Sequence, residues 1–442
     1  MSYVVFAFLA FACWAAPAAG DWPQWRGPAG NGTAAAAAPP LEWGPEKNIV
    51  WRVPLPSWGG STPIVVGDRV LVVSPSPGAG PVPASAEPRQ LFRSRGERDP
   101  GGDELLLLCL DRADGREVWR RVLDRGNGLF LKHNAASPSP VSDGRLVWVV
   151  SGNGVVTAWG VADGKEAWRR DLQRDFGTFG LMWGYASSPL LHDGRLFVQV
   201  LHGQKTDDPS YLAAFDAASG ELLWRSERPT DAVAESPDAY TTPALLRMGG
   251  QDQVVVLGGD YITGHAPASG EELWRVGGLN PGKEGNFRII ASPTVAGGML
   301  FAPTRKKPLL ALKTDGDTPR VAWKWEGPAA PDVPSPVSDG VFLYLVDDRG
   351  RTICLLAETG EVVWGPKRTA QGVVSASPVL AAGRLYITNE NGVTTVLRAG
   401  RVSEVLATNH LDGSYTLASM AVADDRLFVR TATHLYCIGA PE

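Results

Sequence analysis

Hydrophobic and polar positions along this chain form a pattern that recurs about every 50 residues. Every copy but the last opens with Ser-Pro or Thr-Pro, and each continues with two short apolar runs around a Gly/Asp turn, as in 139–148 and 377–386. Two β-branched or aromatic runs joined in this way predict a β-hairpin. Two further apolar runs complete each copy, so every unit predicts four short strands.

The fourth predicted strand carries a tryptophan that follows a Gly turn at a fixed distance, as in 111–120 and 216–225. A large aromatic ring buries ~150–250 Å². Because it recurs in nearly every unit, we interpret it as a residue that docks one unit on the next, not as a catalytic group. In the seventh unit the position is degenerate and is assigned to Val405. The docking residues are Trp51, Trp119, Trp168, Trp224, Trp274, Trp323 and Trp364.

The number of copies and the two ends of the pattern predict the architecture. Eight hairpin copies are present, and the last, 419–428, lacks its proline. That last unit ends before any tryptophan strand, whereas 48–54 form a tryptophan strand with no hairpin before it. The sequence therefore predicts an all-β, eight-bladed β-propeller over 47–438, with four-stranded antiparallel blades and an N-terminal strand that completes the C-terminal blade. A short tail, 439–442, follows.

The N-terminus predicts export. Residues 1–20 contain an almost wholly apolar stretch, and small residues precede Asp21, as expected of a cleaved signal peptide. The stretch is too short to predict a stable membrane span, and no later segment predicts one. A periplasmic or extracellular location is expected. Lipid attachment at Cys13 is an alternative.

Three segments interrupt the repeat, and one of them, 171–187, is rich in aromatic residues and Gly and leads into blade three. Residues 21–46 form an N-terminal extension in which Trp22 and Trp25 are expected to pack on the ring as a lid, followed by an alanine-rich linker. Residues 75–103 are rich in Pro, Gly and Arg without an apolar period, and predict a flexible insertion in the first blade.

Composition narrows the possible partners. The 442 residues have a net charge of −5 and a mean hydropathy of −0.08, which gives no electrostatic basis for binding nucleic acid. Cys109, Cys354 and Cys437 occupy third-strand positions where other units have Ala or Gly. We therefore predict buried, unreactive thiols instead of disulfides, and we expect no metal site.

The spacing of Ala, Asp, Gly and Trp in each unit resembles the pyrroloquinoline quinone (PQQ)-like repeat. That repeat is shared by quinoprotein alcohol dehydrogenases and by the propeller lipoprotein of outer-membrane barrel assembly. The opening segment 21–28, together with the segment 133–141, resembles sequences of a secreted subgroup common in planctomycete-type bacteria. The catalytic branch implies PQQ and Ca²⁺ in the central channel beside a vicinal disulfide. This chain has neither a Cys-Cys pair nor a c-type haem CxxCH motif.

Candidate functional residues are those that break the repeat. They lie in the loops before each innermost strand and in the loops between second and third strands, which open on the same face of a propeller. We expect them to converge around the central channel and to bind a ligand or partner. They are His133, Asn134, Trp183, Tyr185, His202, Tyr240, Asp260, Arg288, Arg305, Lys306, Asp347, Asn389 and Glu390.

Structural roles are the alternative for each candidate. His133 and His202 are compatible with ordinary loop histidines whose hydrogen bonds are satisfied. The cations at 305–307 form either a solvated charge run or a receptor for an anion. Asp347 and Glu390 carry oxygens suited to Ca²⁺, but no twelve-residue calcium loop surrounds them.

Two function classes remain open. The sequence favours an exported, monomeric, non-catalytic scaffold that binds an envelope protein, a glycan or a peptide on one propeller face, without a cofactor. The alternative is a quinoprotein-type oxidoreductase that holds PQQ and Ca²⁺ in the central channel. No residue is assigned a catalytic role.

Overall fold

The computed structural model of the protein describes residues 20–34, 36–80 and 99–440. The predicted signal peptide lies outside these residues apart from Gly20, and so does Cys13. Most of the predicted insertion and the end of the tail also lie outside them. Among the described residues, no helix has the length and hydropathy that a bilayer span requires.

Eight antiparallel sheets follow one another along the chain, and the innermost strands of neighbouring sheets contact each other. This arrangement confirms the predicted eight-bladed β-propeller. Two strands, β1 (Thr33–Ala34) and β2 (Ile49–Pro54), precede the first blade in sequence. From the centre outward, blade one contains β3 (Ile64–Val66), β4 (Arg69–Pro75), β5 (Glu104–Asp111) and β6 (Glu117–Arg125).

A small hairpin and one short helix interrupt the next blades. The hairpin consists of β7 (Leu129–Phe130) and β8 (His133–Asn134), and the helix is α1 (Leu172–Phe176). Blade two contains β9 (Val141–Ser142), β10 (Leu146–Val150), β11 (Val155–Gly160) and β12 (Glu166–Asp171). Blade three contains β13 (Leu190–His192), β14 (Arg195–Val200), β15 (Tyr211–Asp216) and β16 (Leu222–Glu227). Blade four contains β17 (Ala244–Met248), β18 (Gln251–Gly258), β19 (Tyr261–His265) and β20 (Glu272–Val276).

The second half of the ring has the same blade structure. Blade five contains β21 (Thr294–Ala296), β22 (Met299–Ala302), β23 (Leu309–Lys313) and β24 (Arg320–Trp325). Blade six contains β25 (Val337–Ser338), β26 (Phe342–Val346), β27 (Arg351–Leu356) and β28 (Val362–Arg368). Blade seven contains β29 (Val379–Ala381), β30 (Arg384–Thr388), β31 (Thr394–Arg398) and β32 (Val405–Asn409). Blade eight contains β33 (Ala421–Ala423), β34 (Arg426–Arg430), β35 (His434–Ile438) and, outermost, β2.

The position of β2 confirms the predicted closure of the ring. Trp51 in β2 pairs with Cys437 in β35, so the N-terminal strand is the outer strand of the last blade. The buried Arg430 guanidinium adds a second link, because it donates to the carbonyl oxygens of Ser61 at 3.2 Å and Val73 at 2.6 Å in blade one. Hydrogen bonds across this junction join the two ends of the repeat.

The repeated tryptophans dock each blade on the next. Trp119 Nε1 donates to Val161 O at 3.0 Å, and a side chain at Gly164 would lie 2.7 Å from the Trp119 ring. The Gly turn of one blade therefore receives the tryptophan of the blade before it. Trp274 departs from this rule and donates to Gln253 in its own blade. In blade seven the equivalent residue is Ala407, not Val405, because Ala407 is the residue paired with Val396.

The three cysteines lie where the sequence predicts. Cys109, Cys354 and Cys437 are buried, unbonded thiols in the third strands of their blades. Each pairs directly with a docking tryptophan, Cys109 with Trp119, Cys354 with Trp364 and Cys437 with Trp51, so the position favours a small side chain. Burial raises the pKa of each thiol to about 12.

A ring of hydroxyl groups joins the blades at the centre, and it explains the Ser/Thr-Pro motif. The backbone N–H of Ser139 donates to Ser188 Oγ at 2.9 Å, from blade two to blade three. The residue before a proline is held extended, which keeps the hydroxyl in a constant position. The same bond recurs along the series Thr62, Ser139, Ser188, Thr242, Ser292, Ser335, Ser377 and Ser419.

The two faces of the propeller carry different connections between strands. The loop face carries the loops before the innermost strands, such as 183–188, together with those between second and third strands. The turn face carries the tight turns between first and second strands, such as 67–68 and 143–144. The N-terminal extension lies on the turn face.

The extension crosses the end of the channel on the turn face. Trp22, 1 % exposed, exchanges backbone hydrogen bonds of 2.8 and 2.9 Å with Val65 in blade one. At the other end of the extension, β1 pairs in parallel with β29 of blade seven. Between these points the buried Arg26 guanidinium donates to Pro336 O of blade six.

The alanine-rich stretch is also attached to the ring. Pro39 O accepts hydrogen bonds from Arg384 Nη1 at 2.9 Å and from the Tyr386 hydroxyl at 3.3 Å. Trp43 follows, 4 % exposed and stacked on Tyr386 with ring centroids 6.2 Å apart. The expected linker is therefore a strap along blade seven that leads into β2.

Candidate functional site

The loop face opens into a cavity of about 1310 Å³ at the channel axis. All eight hydroxyl-bearing residues of the central ring line it, and Trp25 of the extension lies at its base. Trp25 also lines a second crevice of about 490 Å³ on the turn face, so its ring separates the two spaces. The cavity is therefore open on one face and backed by the threaded segment.

Aromatic side chains form the wall on the side of blades two to four. Trp183 Nε1 donates to Glu235 Oε1 at 2.8 Å, and the Trp183 backbone N–H donates to the Tyr240 hydroxyl at 3.2 Å. Burial raises the pKa of Tyr240 far above its usual value, so the hydroxyl stays protonated. The loop before Trp183 begins at α1, which is capped by the Asp171 carboxylate.

A chain of ion pairs extends from this wall to blade six. Arg288 lies 3.4 Å from Glu235 and 3.6 Å from Asp332, and Arg305 lies 4.0 Å from Asp332. Burial raises the pKa of Asp332, although Arg288 and Arg305 oppose the shift. Asp332 Oδ1 and Arg288 Nη1 have no hydrogen-bond partner within the described part of the chain. The network therefore retains one acceptor atom and one donor atom that can form further hydrogen bonds.

The hairpin of β7 and β8 reaches across the loop face to blades seven and eight. Lys132 Nζ lies 2.5 Å from Ser375 Oγ and 3.1 Å from Glu390 Oε1, and Lys132 O accepts from the Tyr415 hydroxyl at 3.2 Å. The Glu390 side chain is fully buried, so Lys132 supplies its counter-charge. At the base of the hairpin, His133 Nε2 donates to Trp183 O at 2.8 Å. Burial lowers the pKa of His133, which favours the neutral ring.

Blade six contributes a perturbed carboxylate to the opposite wall. Burial raises the pKa of Asp348 to about 6, partly offset by the positive charge of Lys132. Asp348 Oδ1 accepts a hydrogen bond from the Val333 N–H at 3.1 Å. Arg349 and Arg368 lie on the same part of the rim. This side of the cavity therefore combines a titratable acid with two guanidinium groups.

The structure brings only some of the predicted candidates together. Glu390 lies just behind the wall, in contact with Lys132 and Ser375. The candidates that line the cavity are His133, Trp183, Tyr240, Arg288 and Arg305.

Three other candidates are buried and bonded within the blades. Asn134 Nδ2 donates to Trp58 O at 2.9 Å, and the Tyr185 hydroxyl donates to Gln199 O at 3.0 Å. His202 Nδ1 accepts from the Gly180 N–H at 3.0 Å. These contacts fix loop conformations away from the cavity.

The remaining candidates also lie outside the cavity lining. Asp347 accepts from the backbone N–H groups of residues 349 and 351, at 3.0 and 2.8 Å, and Asn389 makes the equivalent turn in blade seven. Asp260 accepts from Ser236 and lies 3.5 Å from Lys283. Lys306 forms an exposed ion pair with Glu284 at 2.6 Å.

Several residues of the cavity lining are not among the candidates predicted from the sequence. Asp332 stands three residues before Ser335, and Lys132 directly precedes a candidate histidine. A search confined to the few residues before each Ser-Pro would have found Asp332. Nothing in the repeat marks Glu235, Arg349 or Arg368.

Comparisons with known proteins agree with this fold. A family model described as outer membrane protein assembly factor BamB (PQQ_2) matches residues 103–366, more than half of the chain. The chain belongs to this PQQ-like repeat family. A search of curated proteins gave no match.

Solved structures with the same fold include members of both branches. BamB from Moraxella catarrhalis is 13% identical, with a TM-score of 0.57 over 76% of this chain and 94% of that one. A europium-containing methanol dehydrogenase is 12% identical, with a TM-score of 0.65 over 94% and 91%. Quinohemoprotein alcohol dehydrogenase from Comamonas testosteroni is 12% identical, with a TM-score of 0.62 over 96% and 81%. At these identities the likeness shows the fold alone.

The cavity residues do not fit a calcium-bound quinone. Within the described ranges, no three His, Cys, Asp or Glu side chains form a cluster that could hold a metal ion. In the ion-pair network of the cavity, the carboxylate oxygen without a hydrogen-bond partner among the described residues is Asp332 Oδ1. Arg288 and Arg305 lie beside Asp332, and their positive charges would repel Ca²⁺ from it. We therefore derive no chemistry through such a cofactor.

Proposed function

We propose that this chain is an exported, non-catalytic binding propeller that presents its loop face to a protein partner of the bacterial envelope. The observation that supports this most directly is the difference between the two ends of the channel. One end is filled by the chain itself, and the other is a large cavity whose wall is built from symmetry-breaking residues. Large concave sites of this kind are the usual places for ligands in such folds.

The chemistry of the cavity favours binding over catalysis. A nucleophile would need an adjacent base, yet both ring nitrogens of His133 are occupied, one by Trp183 O and one by Ser137 Oγ at 3.0 Å. The three described thiols are buried away from the cavity with raised pKa values. Some charged residues of the rim form ion pairs, whereas Arg349 and Arg368 form none with any described residue, and this mixture suits recognition of a charged surface.

Family membership supports the kind of partner. The matched family is described as an outer membrane protein assembly factor, a role that requires protein contacts in the envelope. Export is proposed from the apolar N-terminal stretch, as is a periplasmic or extracellular location. The ring is closed within one chain, because the N-terminal strand β2 pairs with β35 as the outer strand of blade eight, which fits a monomer.

Site-specific photocrosslinking tests the proposal. A benzophenone amino acid would replace either Gln371, which lines the cavity, or Arg145, an exposed residue on the turn face, in the full chain produced by its native host. We expect an adduct with an envelope protein from position 371 and none from position 145. Equal labelling at both positions, or none at 371, would contradict the proposal.

A further inference from the structure

The cavity is cationic although the chain is acidic. The whole protein has a net charge of −5, but three carboxylate residues of the cavity lining face five basic ones. Burial raises the pKa of two of these carboxyl groups, Asp332 and Asp348, which makes each easier to protonate. The basic residues are Lys132, Arg288, Arg305, Arg349 and Arg368.

Two of these cations have no carboxylate partner. Lys132 pairs with Glu390, and Arg288 and Arg305 pair with Asp332. In contrast, Arg349 and Arg368 form no ion pair with any described residue, and both are exposed. Both belong to blade six, Arg349 in the loop after β26 and Arg368 at the end of β28. The unpaired positive charge is therefore concentrated in one sector.

Backbone N–H groups in the same sector are also available. The N–H groups of residues 369, 370 and 374 donate to Gly350 O, Thr395 Oγ1 and Asp348 O. Those of 371, 372 and 373, which lie between them and line the cavity, have no acceptor among the described residues. Successive free N–H groups form anion-binding concavities. Blade six and the loop after it therefore contribute both guanidinium donors and backbone N–H donors to the cavity lining.

The geometry favours a chain segment as the ligand. Small-molecule pockets usually measure about 300–1000 Å³, and this cavity of about 1310 Å³ is larger. The channel already holds one extended segment, because Trp22 and β1 pair with inner strands from the turn face. Guanidinium forks match planar carboxylates with two parallel hydrogen bonds.

We propose that Arg349, Arg368 and the N–H groups of 371–373 bind the carboxylates of an acidic, extended peptide segment of a partner protein. The inference rests on the proposed function and names the chemistry of the segment that enters the cavity. Binding depends on charge, so it weakens as ionic strength rises.

The test measures binding of a fluorescent hexaglutamate peptide to the full chain by anisotropy at low salt. The double variant Arg349→Gln with Arg368→Gln removes the two unpaired cations. Its matched control, Arg145→Gln with Lys165→Gln, removes two exposed cations from the turn face. We expect the first variant to lose at least about tenfold in affinity and the control to match the unaltered protein. A hexaglutamine peptide should not bind.

Several results would overturn the inference. Unchanged hexaglutamate affinity in the double variant, or an equal loss in the control, would show that the blade-six cations do not form the site. Equal or tighter binding of inorganic phosphate or oligogalacturonate at the same residues would assign the site to a different ligand class. In either case an adduct at position 371 would leave the proposed function standing, whereas no adduct would remove both.

Discussion

The two ends of the central channel show how one repeat gives two different surfaces. On the turn face, the chain fills the channel with its own extension, and the inner strands of blades one and seven pair with it through their backbone. On the loop face, the channel stays open and its polar groups belong to side chains that differ from blade to blade. The turn face therefore contributes to stability, and the loop face is the one that we propose for recognition.

The largest expected effect comes from the filled end. Trp22→Ala should lower the free energy of unfolding by about 3–5 kcal/mol, because a ring that is 1 % exposed leaves a cavity against blade one. Trp224→Ala should cost less, because that docking residue is only partly buried. Urea unfolding of both variants measures the two losses. An equal or larger loss for Trp224→Ala would contradict this ranking.

A smaller effect is expected at the hairpin that crosses the open end. Lys132→Gln should cost about 2–3 kcal/mol, because it leaves the fully buried Glu390 carboxylate without its cation, although Lys132 itself touches solvent. The double variant Lys132→Gln with Glu390→Gln should recover part of that loss. A double-mutant cycle measured by urea unfolding quantifies the coupling. Additive losses would show that the pair is not coupled.

The sequence predicted the ring well because the ring is periodic. Trp119 and Gly164 recur at fixed spacings since each blade must present the same docking surface to the next. The extension lies outside this periodicity, so the sequence predicted that Trp22 packs on the ring but not which blade it contacts. The equivalent position moves from Val405 to Ala407 because the turn before β32 is longer: Ala407 stands seven positions after Gly400, whereas Trp168 stands four after Gly164.

The open end could be predicted only in outline. Loop membership places a residue on the loop face but does not decide whether its side chain points to the channel or into a blade. Tyr185 and His202 turn away because backbone groups inside the blade need their hydrogen bonds. Asp332 belongs to the cavity through ion pairs with Arg288 and Arg305, residues 44 and 27 positions earlier in the chain, and no local pattern reports such contacts.

The titration of Asp348 should give a modest pH effect at the open end. Its folded pKa of about 6 is above the usual value of ~3.9 for an unfolded aspartate. The folded state therefore binds the proton more tightly, and the contribution of this group to stability rises as pH falls through about 6 and levels off below ~4. Partial exposure limits the gain to less than about 2 kcal/mol. Asp348→Asn should remove this dependence, as measured by thermal unfolding between neutral pH and about pH 4.5. A difference between the two proteins that does not change with pH would contradict the assignment.

The smallest expected effect is the response to a quinone cofactor. If the open end serves recognition, adding PQQ with Ca²⁺ should give no saturable binding and no dye-linked oxidation of alcohols or sugars. The physical reason is that Arg288 and Arg305 already neutralise Asp332, and no metal-binding cluster of acidic, His or Cys side chains exists among the described residues. Fluorescence titration and a dye-reduction assay measure both outcomes. Saturable binding with turnover that is lost in Asp260→Ala or Glu390→Ala, but retained in Glu284→Ala, would contradict this expectation. The open end of the channel would then be a catalytic site and not a recognition surface.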